Sequence, residues 1–186
     1  MMRVIRSELV RLQNPTLILG GIGLMVFFGI MSTAVVFFTA SSGSSALPRT
    51  EDISAAMIET SDGVFAGLRY FVGMLGIVAL AIWATVVTSD YASGLIRLLV
   101  QAEPNRLRLL GGKIVALAAF TCTATLVTTV VVFAASPGIA SVAGVSTSAW
   151  YDDPLRTVAE GYLVLTLAAL LWGVAGLFVG VITRST

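Results

Sequence analysis

Few side chains in this sequence could take part in catalysis or hold a metal ion. There is no histidine, and the one cysteine, Cys122, lies within an apolar run. Metal sites built from imidazole or thiolate clusters are therefore excluded within this polypeptide, as are Ser-His-Asp and Cys-His catalysis. An intrachain disulfide is also excluded, and we expect Cys122 to be an apolar packing residue. The sequence predicts no catalytic residue, no metal site and no cofactor bound by this chain.

The polar residues with the most informative spacing lie between positions 89 and 113. Asp90 comes first, and Pro104 divides the segment and predicts a basic helix after it. Four large aliphatic side chains lie close together here, Leu95, Ile96, Leu98 and Leu99, and the basic residues of the segment are Arg97, Arg106, Arg108 and Lys113. Because a solvated connection has no reason to expose so many large aliphatic residues, we expect them to contact lipid or a partner protein. Without a partner, the segment would lie on the bilayer with anionic headgroups binding its arginines.

The elements that must position this segment are four stretches without any Asp, Glu, Lys or Arg. They cover residues 16–40, 70–88, 114–135 and 161–183. Each can cross a hydrocarbon core of about 30 Å as a helix that rises about 1.5 Å per residue. Helices are required because lipid offers no partner for exposed backbone N–H and C=O groups. Since only 11% of the residues are charged, we predict an all-α, polytopic helical membrane protein with four transmembrane helices.

The first run has an alternative interpretation as a cleaved signal peptide, since Arg3, Arg6 and Arg11 precede it. The run exceeds the usual apolar core of about 7 to 15 residues. Phe38 also stands where cleavage after Ala40 needs a small residue. We therefore expect this run to remain as the first transmembrane helix.

Basic residues near the ends of the runs predict the orientation. Eight lie in the N-terminal segment, the middle loop and the C-terminal tail, against three in the two other connections. The positive-inside rule therefore predicts that both termini and the middle loop are cytoplasmic. The predicted order is an interfacial helix (1–15), TM1 (16–40), an outside loop (41–69), TM2 (70–88), the cytoplasmic loop (89–113), TM3 (114–135), a second outside loop (136–160), TM4 (161–183) and the cytoplasmic tail (184–186).

The two outside loops carry weaker signals. Residues 53–68 are predicted either as a short surface helix or as a solvated connector. Trp150 and Tyr151 are expected at the headgroup level, where aromatic rings are favoured. Asp153 can cap a helix and Pro154 suits its first turn, so the fourth helix is expected to start near Pro154, before its apolar part.

The runs lack the groups that an ion-coupled carrier needs. Such a carrier usually keeps an ionisable residue or a broken helix at membrane depth, and none of the runs has a charged residue. If the chain moves a solute, its energy is expected to come from a partner. Hydroxyl groups in the third run could line a channel, but hydrogen bonds to their own helix and packing between helices are favoured. The formal net charge of +1 argues against nucleic acid as a partner.

Glycines about one helical turn apart predict close contacts between helices. The pairs are Gly63 with Gly67, Gly73 with Gly76, and Gly176 with Gly180. Small residues let helix backbones approach, either within one chain or between two copies. Trp83 and Trp172, which also lie inside the runs, are expected to pack rather than to bind a ligand.

The middle loop resembles that of the permease subunits of type-2 ABC exporters, the ABC-2 family. Members often show an acidic residue at the end of the second span, then Gly, an aliphatic residue and Arg, and later Pro, several basic residues and a Lys that enters the third span. The matching residues here are Asp90, Gly94, Ile96, Arg97, Pro104, Arg106, Arg108 and Lys113. Leu95 departs from the Thr that commonly follows the Gly. The opening segment also resembles the N-terminal interfacial helix of the family, through Arg3, Ile5, Arg6, Leu9 and Leu12.

The resemblance implies a subunit of an ATP-driven exporter in a bacterial plasma membrane. A separate cytoplasmic ABC ATPase, which uses ATP and Mg²⁺, would bind the middle loop as a coupling helix. The residues implied in this interface are Asp90, Tyr91, Gly94, Ile96, Arg97, Leu98, Pro104, Arg106, Arg108 and Lys113. A second permease copy or a related permease would complete the translocation path. This chain has no GxxxxGK[ST] phosphate loop, so hydrolysis is expected in the partner.

The number of spans departs from the family, whose permeases typically have six. The sequence stops just after the fourth run, and we expect either that it is a fragment or that a second chain completes the bundle. The alternative function is a non-transporting membrane subunit that anchors or regulates a partner, or an immunity protein. A membrane enzyme is a weaker third reading, because no paired carboxylates or metal ligands converge in the runs.

Overall fold

A computed structural model describes residues 15–42, 55–92 and 106–183, and every structural statement below refers to these residues. They form helices and short connections without a strand. Four long helices are apolar enough to cross a membrane, which confirms the predicted all-α, polytopic fold. They are α1 (Pro15–Ser42), α4 (Val72–Ala92), α5 (Arg106–Ala143) and α6 (Pro154–Ile182). Two short helices, α2 (Ala55–Ile58) and α3 (Ala66–Tyr70), lie between α1 and α4 on either side of a 3₁₀ turn, Ser61–Phe65.

The long helices extend beyond the charge-free runs from which they were predicted. α5 begins at Arg106, shortly after Pro104, and continues through Pro137 to Ala143, so residues 136–143 are helix and not loop. α6 begins at Pro154, as the cap signals predict: the Asp153 carboxylate accepts a hydrogen bond from the backbone N–H of Arg156. The connection between them is therefore short and contains the 3₁₀ turn Ser148–Tyr151. Charged residues can sit in the ends of these helices because those ends reach past the hydrocarbon region.

The bundle is built from two closely packed helix pairs. α4 has its most extensive contact with α6, and α1 has its most extensive contact with α5, while α5 also packs against α6. One apolar cluster includes Trp83, Leu117 and Leu177. A second, toward the short helices, includes Phe37, Phe65 and Trp150. Large apolar side chains such as Leu155 and Leu171 face outward, which suits helices whose surroundings are lipid.

Glycines account for the closeness of α4 and α6. A methyl group added at Gly176 would lie 2.3 Å from the backbone oxygen of Leu80, and one at Gly76 would overlap the Trp172 ring. Gly180 approaches the backbone of Ala84 in the same way. The contacts predicted for these three glycines therefore lie within one chain. A methyl group added at Gly73 would meet no neighbouring element of the described chain within 4 Å, so the contact predicted for this glycine stays a prediction.

Candidate functional site

The strongest polar feature of the structure is a buried ion pair at the ends of α4 and α5. The Lys113 ammonium donates to the Asp90 carboxylate at Oδ2. Only 2% of the Asp90 side chain and 11% of the Lys113 side chain are exposed. The two residues flank the segment 93–105, whose structure lies outside the described residues.

Helix periodicity explains why both charges point inward. Asp90 follows Trp83, Val86 and Val87, which are all buried on the core face of α4. These positions precede Asp90 by seven, four and three residues, so all four side chains share one helix face. Lys113 precedes Ala116 and Leu117 by the same short spacings, and both are fully buried. Each charged residue therefore extends the buried face of its helix by one turn.

Burial makes the two charges depend on each other. Removing an ion from water costs several kcal/mol, and an oppositely charged partner with good geometry offsets much of that cost. Separating α4 from α5 at this end would leave both groups without that compensation. The pair therefore holds the two helix ends together where the chain enters and leaves the segment 93–105.

The pairing gives Asp90 and Lys113 a contact within the chain, while their predicted role in an interface with a partner protein stays a prediction. Both side chains lie inside the bundle, and the structure brings these two predicted site residues together. Opposite charge at the two ends of one loop was the signal in the sequence that could have revealed the pair. Tyr91 lies in the last turn of α4, and Arg106 and Arg108 lie in the first turns of α5.

The other predicted interface residues lie outside the described ranges. These are Gly94, Ile96, Arg97, Leu98 and Pro104 in the middle loop, and Arg3, Ile5, Arg6, Leu9 and Leu12 in the N-terminal segment. Their predicted roles stay predictions. Within the described ranges there is no group of three or more potential metal ligands.

Several hydroxyl groups of α5, including those of Thr121, Thr125 and Thr128, lie inside the bundle. The Trp83 indole N–H donates to the Thr121 hydroxyl at 2.9 Å, and the hydroxyls of Thr125 and Thr166 are 2.8 Å apart. Thr121, Thr125 and Thr128 also donate to carbonyls one turn earlier in α5. The preference for hydrogen bonds within the helix and packing between helices is confirmed for these residues, and Trp83 packs as predicted.

The segment that joins α1 to α4, residues 55–70, is inserted into the bundle; we call it the connecting segment. A methyl group at Gly67 would lie 2.4 Å from the Cα of Thr33 in α1. The Phe65 ring covers Gly161 of α6 just as closely, and the Ser136 hydroxyl of α5 lies 3.4 Å from the Val64 carbonyl. Three long helices thus enclose this segment, which is neither a single surface helix nor a solvated connector.

Trp150 completes the enclosure, because its side chain packs inside the bundle and not among lipids. Its side chain is 1% exposed, packs against Phe37 and donates from the indole N–H to the Ile58 carbonyl at 2.8 Å. The neighbouring Tyr151 is exposed, as expected of a headgroup-level aromatic residue. Trp150 therefore fixes the connecting segment to the turn that precedes α6.

Comparisons with known proteins identify no relative of this chain. No protein-family model, no curated protein and no solved structure matches the chain.

Proposed function

We propose that the chain is a permease subunit of an ATP-driven exporter of the ABC-2 type, which takes its energy from a separate cytoplasmic ATPase. The observation that carries the proposal is the buried pair of Asp90 and Lys113. It joins the two helices that lead into the amphipathic segment 93–105. A force applied to that segment would act on α4 and α5 together.

The distribution of charge supports an external source of energy. In the described helices, charged side chains occur near the ends, and the 25 residues from Ile18 to Ser42 of α1 contain none. An ion-coupled carrier would need a binding group at membrane depth. The middle turns of the four long helices carry no such group, so the bundle can instead change shape when a partner pulls on it.

The packing of the bundle supports transmission of such a movement. α4 is packed against α6 through glycine contacts, and α5 is packed against α1. Closely packed helices shift between discrete arrangements rather than stretch. The ion pair links the two helix pairs, so displacement of the loop would tilt both of them. A second permease copy or a related chain would supply the other wall of the path.

The proposal is tested by isolating the native complex and by altering the loop. The tagged chain is purified in mild detergent and its partners are identified by mass spectrometry. We expect a nucleotide-binding subunit to co-purify, and we expect R97E combined with L98D to remove it and to abolish transport-linked ATP hydrolysis. L155D combined with R156E is the matched control. It makes the same two types of substitution at exposed positions at the N-terminal end of α6.

The two outcomes separate the proposal from its alternative. Loss of the ATPase from the loop variant, with its retention in the control, supports the exporter. A chain that carries out its role with no nucleotide-binding partner would instead be a non-transporting anchor, regulatory or immunity subunit.

A further inference from the structure

A small groove lies on the exposed side of the connecting segment. Its volume is about 250 Å³. Apolar lining comes from Met57, Ile58 and Ala66, and the polar groups that reach it belong to Asp62, Arg69 and Tyr70. An apolar surface with a few convergent polar groups is the usual composition of a ligand site.

The groove carries one charge of each sign, close together and accessible. Arg69 Nη1 lies 3.2 Å from Asp62 Oδ2, and the two side chains are 37% and 52% exposed. A guanidinium has five N–H donors and a carboxylate has two acceptor oxygens, so one contact uses only part of each group. An exposed pair of this kind also contributes little to folding, and both groups can exchange contacts with a ligand.

The contacts of the connecting segment place the groove toward one end of the bundle. Gly67 packs beside Thr33, nine residues before the end of α1, and Phe65 packs beside Gly161, seven residues after the start of α6. At about 1.5 Å per residue, these contacts lie about 10 to 14 Å inside the helix ends. The groove therefore lies toward the end of the bundle where α1 ends and α6 begins.

We propose that this groove binds an ethanolamine phospholipid. The remaining N–H donors of Arg69 bind the lipid phosphate, and the Asp62 carboxylate accepts N–H bonds from the primary ammonium group. The phenol of Tyr70 is a further donor for the phosphate. The glycerol and the first acyl carbons cover Met57 and Ala66. The site is independent of the exporter proposal, because it requires only that the chain lies in a membrane.

Charge and hydrogen bonding distinguish this lipid from its neighbours. Phosphatidylcholine has the same two charges, but its quaternary ammonium has no N–H to donate to Asp62. Phosphatidylglycerol has the phosphate but no cation, so Asp62 repels it. We therefore expect the wild-type chain to retain the ethanolamine lipid about fivefold more than either competitor, equivalent to about 1 kcal/mol.

The experiment uses the full chain in nanodiscs made of equal parts of the three lipids, followed by native mass spectrometry of the lipids that remain bound. R69Q is expected to abolish the preference. D62N is expected to reverse it toward phosphatidylglycerol, because an unpaired Arg69 then faces the phosphate. A reversal of lipid preference cannot result from unfolding, so it distinguishes a site from a general loss of structure.

The matched control is E160Q, which releases Arg156 from an exposed ion pair on α6 and makes the same change in net charge. It should leave the preference for the ethanolamine lipid unchanged. Equal retention of all three lipids by the wild-type chain would overturn the proposal, as would the same shift in D62N and E160Q. Soluble glycerophosphoethanolamine is added as a competitor. If it displaces the lipid at a comparable concentration, the site recognises the free headgroup and not a membrane lipid.

Discussion

Asp90 and Lys113 form a pair in which each residue is costly without the other. D90N removes the contact of the Lys113 ammonium with this carboxylate, and K113M removes the contact of the Asp90 carboxylate with this ammonium. Each single change is expected to lower the free energy of unfolding by about 3 to 5 kcal/mol, the usual effect of breaking a buried pair. Stability is measured in detergent by titration with a denaturing detergent. D90N combined with K113M should cost less than the two single changes added together, because it leaves neither charge buried.

The exposed pair of Arg156 and Glu160 is the control for that measurement. Its groups are 74% and 40% exposed, so R156Q should leave stability nearly unchanged. If D90N and K113M were as mild as R156Q, or if their effects simply added in the double variant, Asp90 and Lys113 would not depend on each other. Partial recovery in the exchanged pair, D90K with K113D, would separate electrostatic attraction from a requirement for these shapes.

Glycines at the contact between α4 and α6 leave no room for a larger side chain. A larger residue at such a position is therefore expected to lower stability. G176A would place a methyl group 2.3 Å from the backbone oxygen of Leu80, where no side-chain rotation can relieve the contact. We expect it to lower stability by about 1 to 3 kcal/mol, as overpacking of a close contact does. Thermal unfolding of the purified chain is the measurement.

Gly73 offers a matched control for G176A, because it lies in α4 and has open space before it. G73A should be neutral or slightly stabilising, since alanine favours a helix more than glycine does. Equal loss of stability in G73A and G176A would mean that helix propensity, and not the contact with α6, decides the effect. A large effect of G73A alone would indicate that this face meets a second chain.

The sequence predicts the long helices well, but it predicts poorly which residues meet between them. Absence of charge marks α1, α4, α5 and α6, because a single charge at the centre of a span costs about 2.5 to 3.5 kcal/mol on insertion scales. The same criterion cuts the spans short where charged residues continue the helix, as at Lys113. It also does not reveal that Asp90 meets Lys113, or that Trp150 reaches the Ile58 carbonyl, 92 positions away in the chain. Such contacts depend on how helices are arranged, which composition does not determine.

The connecting segment is a second part of the fold whose contacts the sequence does not predict. Its mean hydropathy is lower than that of the long helices, and many of its side chains are small, as in a solvated loop. In the structure Gly63 and Gly67 let its backbone lie against Ile58 and Thr33, and Val64 and Phe65 fill the space between helices. Backbone that is not α-helical is tolerated at this depth because surrounding protein, rather than lipid, covers it.

At the scale of the whole molecule, the two ends of the bundle differ in kind. One end contains the enclosed connecting segment, the turn before α6 and exposed ion pairs such as Asp62 with Arg69. The other contains the buried pair of Asp90 and Lys113, and Arg106 and Arg108 lie nearby in the first turns of α5. The distribution of Lys and Arg predicts that the second end faces the cytoplasm. The exporter proposal requires this orientation, since ATP is available there.

Orientation can be measured with single cysteines in a background that carries C122A. S148C lies at an exposed position in the turn before α6, and A102C lies in the loop between α4 and α5. We expect an impermeant maleimide to label S148C in intact cells and to label A102C only after the membrane is opened. The reverse pattern would place the loop outside the cell, beyond the reach of a cytoplasmic ATPase, and would refute the exporter proposal while leaving the lipid site of Asp62 and Arg69 standing.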